Sequence, residues 1–255
     1  MTHDGTEPAG TAGPGGLPET PPAVARLFGD RAPLARRYAE ELATTGIAHG
    51  LVGPREAPRL WERHVLNCVL LERLLAPGSS VIDVGSGAGL PGIVLAVARP
   101  DLTVHLVEPL LRRTTWLERT VDLLGLDNAV VHRGRAEQVR LSAPVVTARA
   151  VAALPTLVEW SLPLLEPQGR LLALKGAAAE EELAAAGTLL RTMGVEGAKV
   201  LRLEEEGVDP VSVVQIVRPK QLLADGSAGG GPAGGGRART RRAGGKRAQG
   251  RRGKG

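Results

Sequence analysis

The segment VIDVGSGAGLPGIVLAVARP, residues 81–100, decides how this chain is read. An apolar run carrying one acid, Asp83, breaks into glycines at Gly85, Gly87, Gly89 and Gly92. Read from Gly87, it satisfies G-x-G-x-x-G, the dinucleotide-loop pattern. Read from Asp83, it is D-x-G-x-G-x-G, a loop for a different cofactor. The first reading implies hydride transfer, the second methyl transfer. In both, strand, glycine turn and helix make a nucleotide-cofactor site at the carboxyl edge of a sheet. A helix beginning near Pro91 would aim its free N–H groups at the loop.

Outward from this loop, short β-branched runs occur at 80–84, 103–107, 129–132, 145–149, 170–174, 198–203 and 211–217. Helix-like stretches at 91–99, 110–125, 153–165 and 178–193 separate most of them. Strands alternating with helices imply an α/β fold with a mainly parallel sheet covered on both faces. Only EEEGVDP separates the last two runs, too short for a parallel crossover, so they are expected to form an antiparallel hairpin. Upstream, residues 22–48 and 56–75 carry apolar residues at helical spacing. Residues 1–21 are Gly/Pro/Thr-rich, too polar to bury anything, and expected to be disordered.

The second reading gains support from three acids. Glu108 ends TVHLVEP, 19 residues after Gly89, at the spacing from which an acid reaches ribose hydroxyls. NAD and S-adenosylmethionine (SAM) folds share it. Asp83 discriminates: NAD loops usually carry an apolar residue there, whereas an acid can face the ammonium of a methionine moiety. The turn HRGRAEQ after the third strand places Ala136 and Glu137 where SAM folds supply a backbone N–H and an acid beside adenine. A helix N-terminal acid stabilised by the dipole would look the same at Glu137.

Charge is partitioned. Residues 219–255 carry a net +9, residues 1–22 a net −3, and the intervening body a net −1. The basic character belongs to the tail, a Gly/Arg-rich stretch without aromatics that is expected to be disordered and to bind RNA phosphates without reading bases. A dispensable solubilising extension fits the same composition. The single cysteine, Cys68, excludes an intramolecular disulfide and a cysteine zinc cluster, and no metal is implied. No apolar run approaches the ~18 residues of a membrane helix, and no secretory leader is visible, so a cytoplasmic protein is expected.

The compound pattern RHVLNCVLL (63–71), VIDVGSGAGLPGIVLAVARPD (81–101), GRAEQ (134–138), ARAVA (148–152) and GRLLALKG (169–176) resembles the bacterial small-subunit rRNA guanine-N7 methyltransferase family, also called glucose-inhibited division protein B. The match runs from about residue 55 to 217. It implies a class I SAM-dependent methyltransferase fold over 79–218, with an N-terminal helical extension over 22–78. It further implies methylation of one guanine of 16S rRNA, in the decoding-centre loop, with the rRNA or small ribosomal subunit as partner. By position, the family's SAM contacts fall on Gly85, Leu90, Ala136, Glu137 and Arg149; Asp83, Gly87, Gly89 and Glu108 complete the expected cradle. The frequent Asn-Leu-Thr motif is replaced by HGLVGPRE, and the frequent Asp-Ser by Asn67-Cys68.

Guanine N7 carries a free in-plane lone pair, so no strong base is needed, and none is obvious. Three residues are positioning candidates. Arg149 suits the SAM carboxylate, an RNA phosphate or guanine O6, or simply caps a strand. Lys175 meets a phosphate or solvent. His64 is a packing or surface residue unless the fold brings it to the site.

Overall fold

The computed structural model describes residues 16–195 and 197–220. Most of the two terminal segments expected to be disordered, residues 1–15 and 221–255, lies outside the described residues. Seven strands form one sheet in the order β3-β2-β1-β4-β5-β7-β6. They are β1 (Ser80–Val84), β2 (Thr103–Glu108), β3 (Ala129–Arg133), β4 (Ala143–Arg149), β5 (Leu165–Lys175), β6 (Gly197–Glu205) and β7 (Val208–Val217). β1 to β5 pair in parallel, and β7 runs antiparallel between β5 and β6. This is the mainly parallel sheet with an antiparallel C-terminal hairpin that the spacing predicts.

Helices α1 (Pro22–Phe28) and α2 (Ala32–Glu41) precede the sheet, and α3 (Asn67–Val69) is the α-helical core of a second helical stretch. That stretch does not hold one helix over 56–75. It starts as a 3-10 turn at Pro54–Arg59, widens to a π-helix at Leu60–Leu66 and tightens again at Leu70–Leu74. Pro58, inside the first turn, removes an amide donor and disfavours α geometry before it. Similarly, Gly29 at φ +51 interrupts the first predicted helix. Downstream, α4 (Gly92–Ala98), α5 (Leu111–Leu124) and α7 (Ala179–Thr192) lie within a residue of the predicted boundaries, whereas α6 (Leu154–Ser161) ends four residues early, in a 3-10 turn at Leu162–Leu164 before β5.

The sheet separates two apolar layers. On one face, α1, α2, the 54–74 stretch, α4 and α5 share a core that includes Val24, Trp61, Leu66, Ile93 and Trp116. On the other, α6 and α7 pack through Leu157, Val158 and Leu190. The N-terminal helices are therefore part of the main core. Even Leu17, in a segment expected to bury nothing, is buried there. One large side chain is enough to anchor a polar stretch that runs over an apolar surface.

Directional bonds fix the extension to the functional edge. The buried Tyr38 hydroxyl donates to the Ala88 carbonyl at 2.7 Å, reaching from α2 into the glycine loop. Trp116 Nε1 on α5 donates to Thr45 Oγ1 at 2.9 Å. At the far side, Arg170 donates to the Leu74 carbonyl at 2.7 Å. Replacing Tyr38 with Phe keeps the ring and strands a buried carbonyl. The expected loss is about 1–2 kcal/mol of stability, read from the urea midpoint.

Candidate active site

The glycine loop is held from below. Asp83 lies one residue before the end of β1 and is itself fully buried. Its Oδ2 accepts the Gly92 N–H at 3.0 Å, capping the first turn of α4. Its Oδ1 is buried without a partner. Burial pushes the Asp83 carboxyl up to about 7, against the pull of that amide. Gly92 is obligatory here: an added Cβ would lie 2.3 Å from Leu106 and 2.6 Å from Asp83 Oδ2.

The loop above is stitched to β2. Gly85 and Ser86 donate their N–H groups to the Val107 carbonyl at 2.8 and 3.1 Å. Glu108, at the end of β2, accepts the Gly87 N–H at 3.1 Å and the Leu110 N–H at 3.1 Å. Arg113 stands 3.5 Å from the same carboxylate. Gly85 and Gly87 both adopt positive φ, +67 and +54, which permits this fold-back.

Two adjoining cavities open over this edge. The first, about 500 Å³, is lined by Val84, Gly85, Glu108, Leu110, Gly134 to Glu137, Val151 and Trp160. The second, about 280 Å³, is lined by Val52, Glu56, His64, Gly85 to Ala88, Leu90 and Arg149. Gly85, Arg113 and Ala150 line both. Ala150 takes φ +52, a costly value for a residue with a Cβ, at the turn leaving β4.

This distribution sorts the expected cradle. Gly85, Glu108, Ala136 and Glu137 meet in the first cavity; Gly87, Leu90 and Arg149 meet in the second. Gly89 and Asp83 line neither. Gly89, at φ +84, leaves room for Ile93, which an added Cβ would meet at 2.5 Å. Asp83 does not face a ligand ammonium from inside a cavity, because it is spent beneath the loop on Gly92. The α4 amides are likewise committed: Gly92 to Asp83, Ile93 to the Gly89 carbonyl at 2.8 Å. They are not offered to a ligand, which suits a cofactor without phosphate groups.

Of the positioning candidates, Lys175 stands apart. Its ammonium is paired with Glu182 at 2.7 Å and reaches the Ala152 carbonyl at 3.3 Å, and it lines neither cavity. His64 and Arg149 are brought together. Arg149 Nη2 donates to the Arg63 carbonyl at 2.7 Å and meets His64 Nδ1 at 3.0 Å. Its Nη1 reaches the His64 carbonyl and Cys68 Sγ, each at 3.4 Å. A guanidinium can only donate, so Nδ1 accepts and Nε2 carries the proton. That Nε2–H is 2.9 Å from Glu56 Oε2. Burial and the Arg149 charge hold the imidazole below its ordinary range. The His64 hydrogen bond, with Arg63 and Arg59 nearby, holds Glu56 ionised. Sequence reading missed Glu56, which bonds His64 eight residues on, Tyr38, whose partner Ala88 is 50 residues away, and Trp160, which the fold brings to the first cavity.

A family model described as rRNA small subunit methyltransferase G matches residues 31–212. The chain belongs to this family. A Thermobifida fusca protein named ribosomal RNA small subunit methyltransferase G is 55% identical over 207 residues, covering 80% of this chain and 87% of its own. A Kineococcus radiotolerans protein of the same name is 54% identical over 220 residues, covering 83% and 87%. A solved Methanococcus maripaludis protein, titled a putative SAM-dependent methyltransferase, shares the fold at TM-score 0.51 and 12% identity. That match covers 75% of this chain and 94% of the other. As a methyltransferase G family member, the chain is a SAM-dependent rRNA methyltransferase. The first cavity fits the cofactor's nucleoside by its lining: a carboxylate at Glu108 to accept from a diol, and apolar walls at Leu110, Val151 and Trp160 for a flat base.

Two consequences of the buried acid are measurable. G92A is expected to destabilise the fold by at least about 2 kcal/mol, because backbone and Asp83 must move together. The Asp83 carboxyl binds its proton more tightly folded than unfolded. Its contribution therefore falls as pH rises from about 4 to about 7. D83N removes that dependence, so its urea midpoint should gain on the wild type's across this window.

Proposed function

We propose that the protein transfers the methyl group of SAM to N7 of a guanine in 16S rRNA, in the decoding-centre loop. The observation that carries the atom assignment is the closed hydrogen-bond chain Glu56–His64–Arg149. His64, the one imidazole lining the second cavity, has Nδ1 filled by Arg149 and its Nε2 proton committed to Glu56. Neither nitrogen is free to remove a proton, and N7 requires none. Amino-group methylation commonly uses a Pro-Pro motif after the fourth strand; this chain has Arg149-Ala150-Val151 there.

Bound SAM supplies an electrophilic methyl on a sulfonium. The chain's own residues supply place and field. Asp83, Gly85, Gly87, Gly89, Leu90, Glu108, Ala136, Glu137 and Arg149 form the proposed cradle, with Asp83 and Gly89 acting from beneath. Glu108 would orient the ribose, and Ala136 and Glu137 the adenine. Arg149 and the loop Gly85–Ala88 bound the cavity where the methyl and its acceptor meet. Holding nucleophile and electrophile in line is the main rate term available to such a site. Arg149 lends charge without donating to N7, since its terminal nitrogens are already engaged by the 63–68 segment.

The substrate is the small ribosomal subunit or its RNA, and a cytoplasmic location goes with that substrate. Among the described residues, no helix is long and apolar enough to cross a membrane. The basic tail, almost wholly outside the described residues, would add sequence-independent phosphate contacts.

Transfer from labelled SAM to small subunits and to naked 16S rRNA tests the reading. Nucleoside analysis should give 7-methylguanosine at one site; a methylated adenine or an exocyclic product would overturn it. Removing residues 219–255 should weaken subunit affinity, most at low salt, and leave SAM affinity unchanged. Equal subunit affinity with and without the tail would sink the tail's role.

A further inference from the structure

Glu56 is the only carboxylate among the residues lining the second cavity, and holding the His64 proton occupies only part of it. One oxygen, Oε2, takes the His64 proton at 2.9 Å. The other, Oε1, has Arg63 at 4.0 Å, beyond hydrogen-bond reach. A carboxylate offers about four acceptor positions, so most of this one is unspent. Its side chain is 34% exposed and lines the same cavity as the glycine-loop residues Gly85 to Ala88.

Guanine has two chemically opposed edges. N7 and O6 are acceptors on one edge; N1–H and the N2 amino group are donors on the other. If N7 faces the methyl donor, the donor edge points away from the glycine loop. An ionised carboxylate accepts from that edge, and its acceptors repel N1 of adenine.

We propose that Glu56 selects the target guanine by accepting from its N1–H and N2 amino groups. This rests on the N7 reading above. His64 then does more than hold Arg149, since it also pins Oε2 and leaves Oε1 aimed at the base. Exposed Arg55 and Arg59 on the same turn, with Arg63 beyond, lie beside this carboxylate as counter-charges for flanking phosphates. The alternative is a positioning role alone, in which Glu56 orients His64 and, through it, Arg149.

Inosine separates the two, because it keeps N7 and N1–H but lacks the N2 amino group. Small subunits would be reconstituted with 16S rRNA carrying guanosine or inosine at the methylated position. Wild-type protein, E56Q and E56D would be compared by kcat/KM, with SAM affinity measured calorimetrically. The wild type should prefer guanosine by at least about tenfold. E56Q, which presents an amide donor to one of its two partners, should lose at least about tenfold on guanosine and have a preference near one. SAM affinity should stay within about twofold. E56D keeps the charge on a shorter arm and should retain the preference at reduced rate. Equal losses on guanosine and inosine in E56Q, with the preference intact, would reduce Glu56 to a positioning residue and overturn the proposal. A wild type that forms no 7-methylguanosine overturns the N7 reading itself, which is a separate result.

Discussion

A single buried carboxylate sets the geometry of the functional edge. Asp83 joins the end of β1 to the start of α4 through the Gly92 amide. The intervening glycines must therefore turn within a fixed span. Their positive φ values, and the return of Gly85 and Ser86 to the Val107 carbonyl, follow from that constraint. Glu108 then receives the loop from the neighbouring strand. The two acids divide the labour by depth. The deeper one shapes the protein, and the shallower one faces the cavity while still holding a loop amide.

This division explains what could be read from the sequence. Regular elements were legible because apolar periodicity is local: β1, β2, α4, α5 and α7 lie within a few residues of their expected positions. The hairpin was legible because seven residues cannot carry a parallel crossover. The role of Asp83 was not. An acid inside a strand signals that loop type, yet sequence does not say whether its carboxyl points into a cavity or under a turn. The pairing of Lys175 was not legible for a similar reason. Its partner Glu182 lies seven residues on, across a strand-to-helix turn whose geometry only the fold supplies. Glu56 was silent because its meaning comes from His64 and from a loop some thirty residues later.

The helical stretch at 54–74 departs most from expectation, and it also carries two of the five polar side chains lining the second cavity, Glu56 and His64. The π-helical turns at Leu60–Leu66 and the 3-10 turn before them set how Glu56 and His64 meet across eight residues. Regular α geometry would place i and i+8 side chains more than two turns apart along the axis. The irregularity and the hydrogen bond coexist because Leu60, Trp61, Val65 and Leu66 are all fully or almost fully buried in the shared core. Packing holds a backbone path that propensity alone would not choose.

Two of the four contacts that grip Arg149 are main-chain carbonyls, those of residues 63 and 64. A carbonyl is present whatever side chain is attached, so this grip is blind to substitution at position 63. It is sensitive instead to phase. Inserting or deleting one residue within the helical stretch that follows them, up to Leu74, would rotate them by roughly 100° around the helix axis and turn them away from the guanidinium. For these two carbonyls, what must be inherited unchanged is a spacing, not a letter.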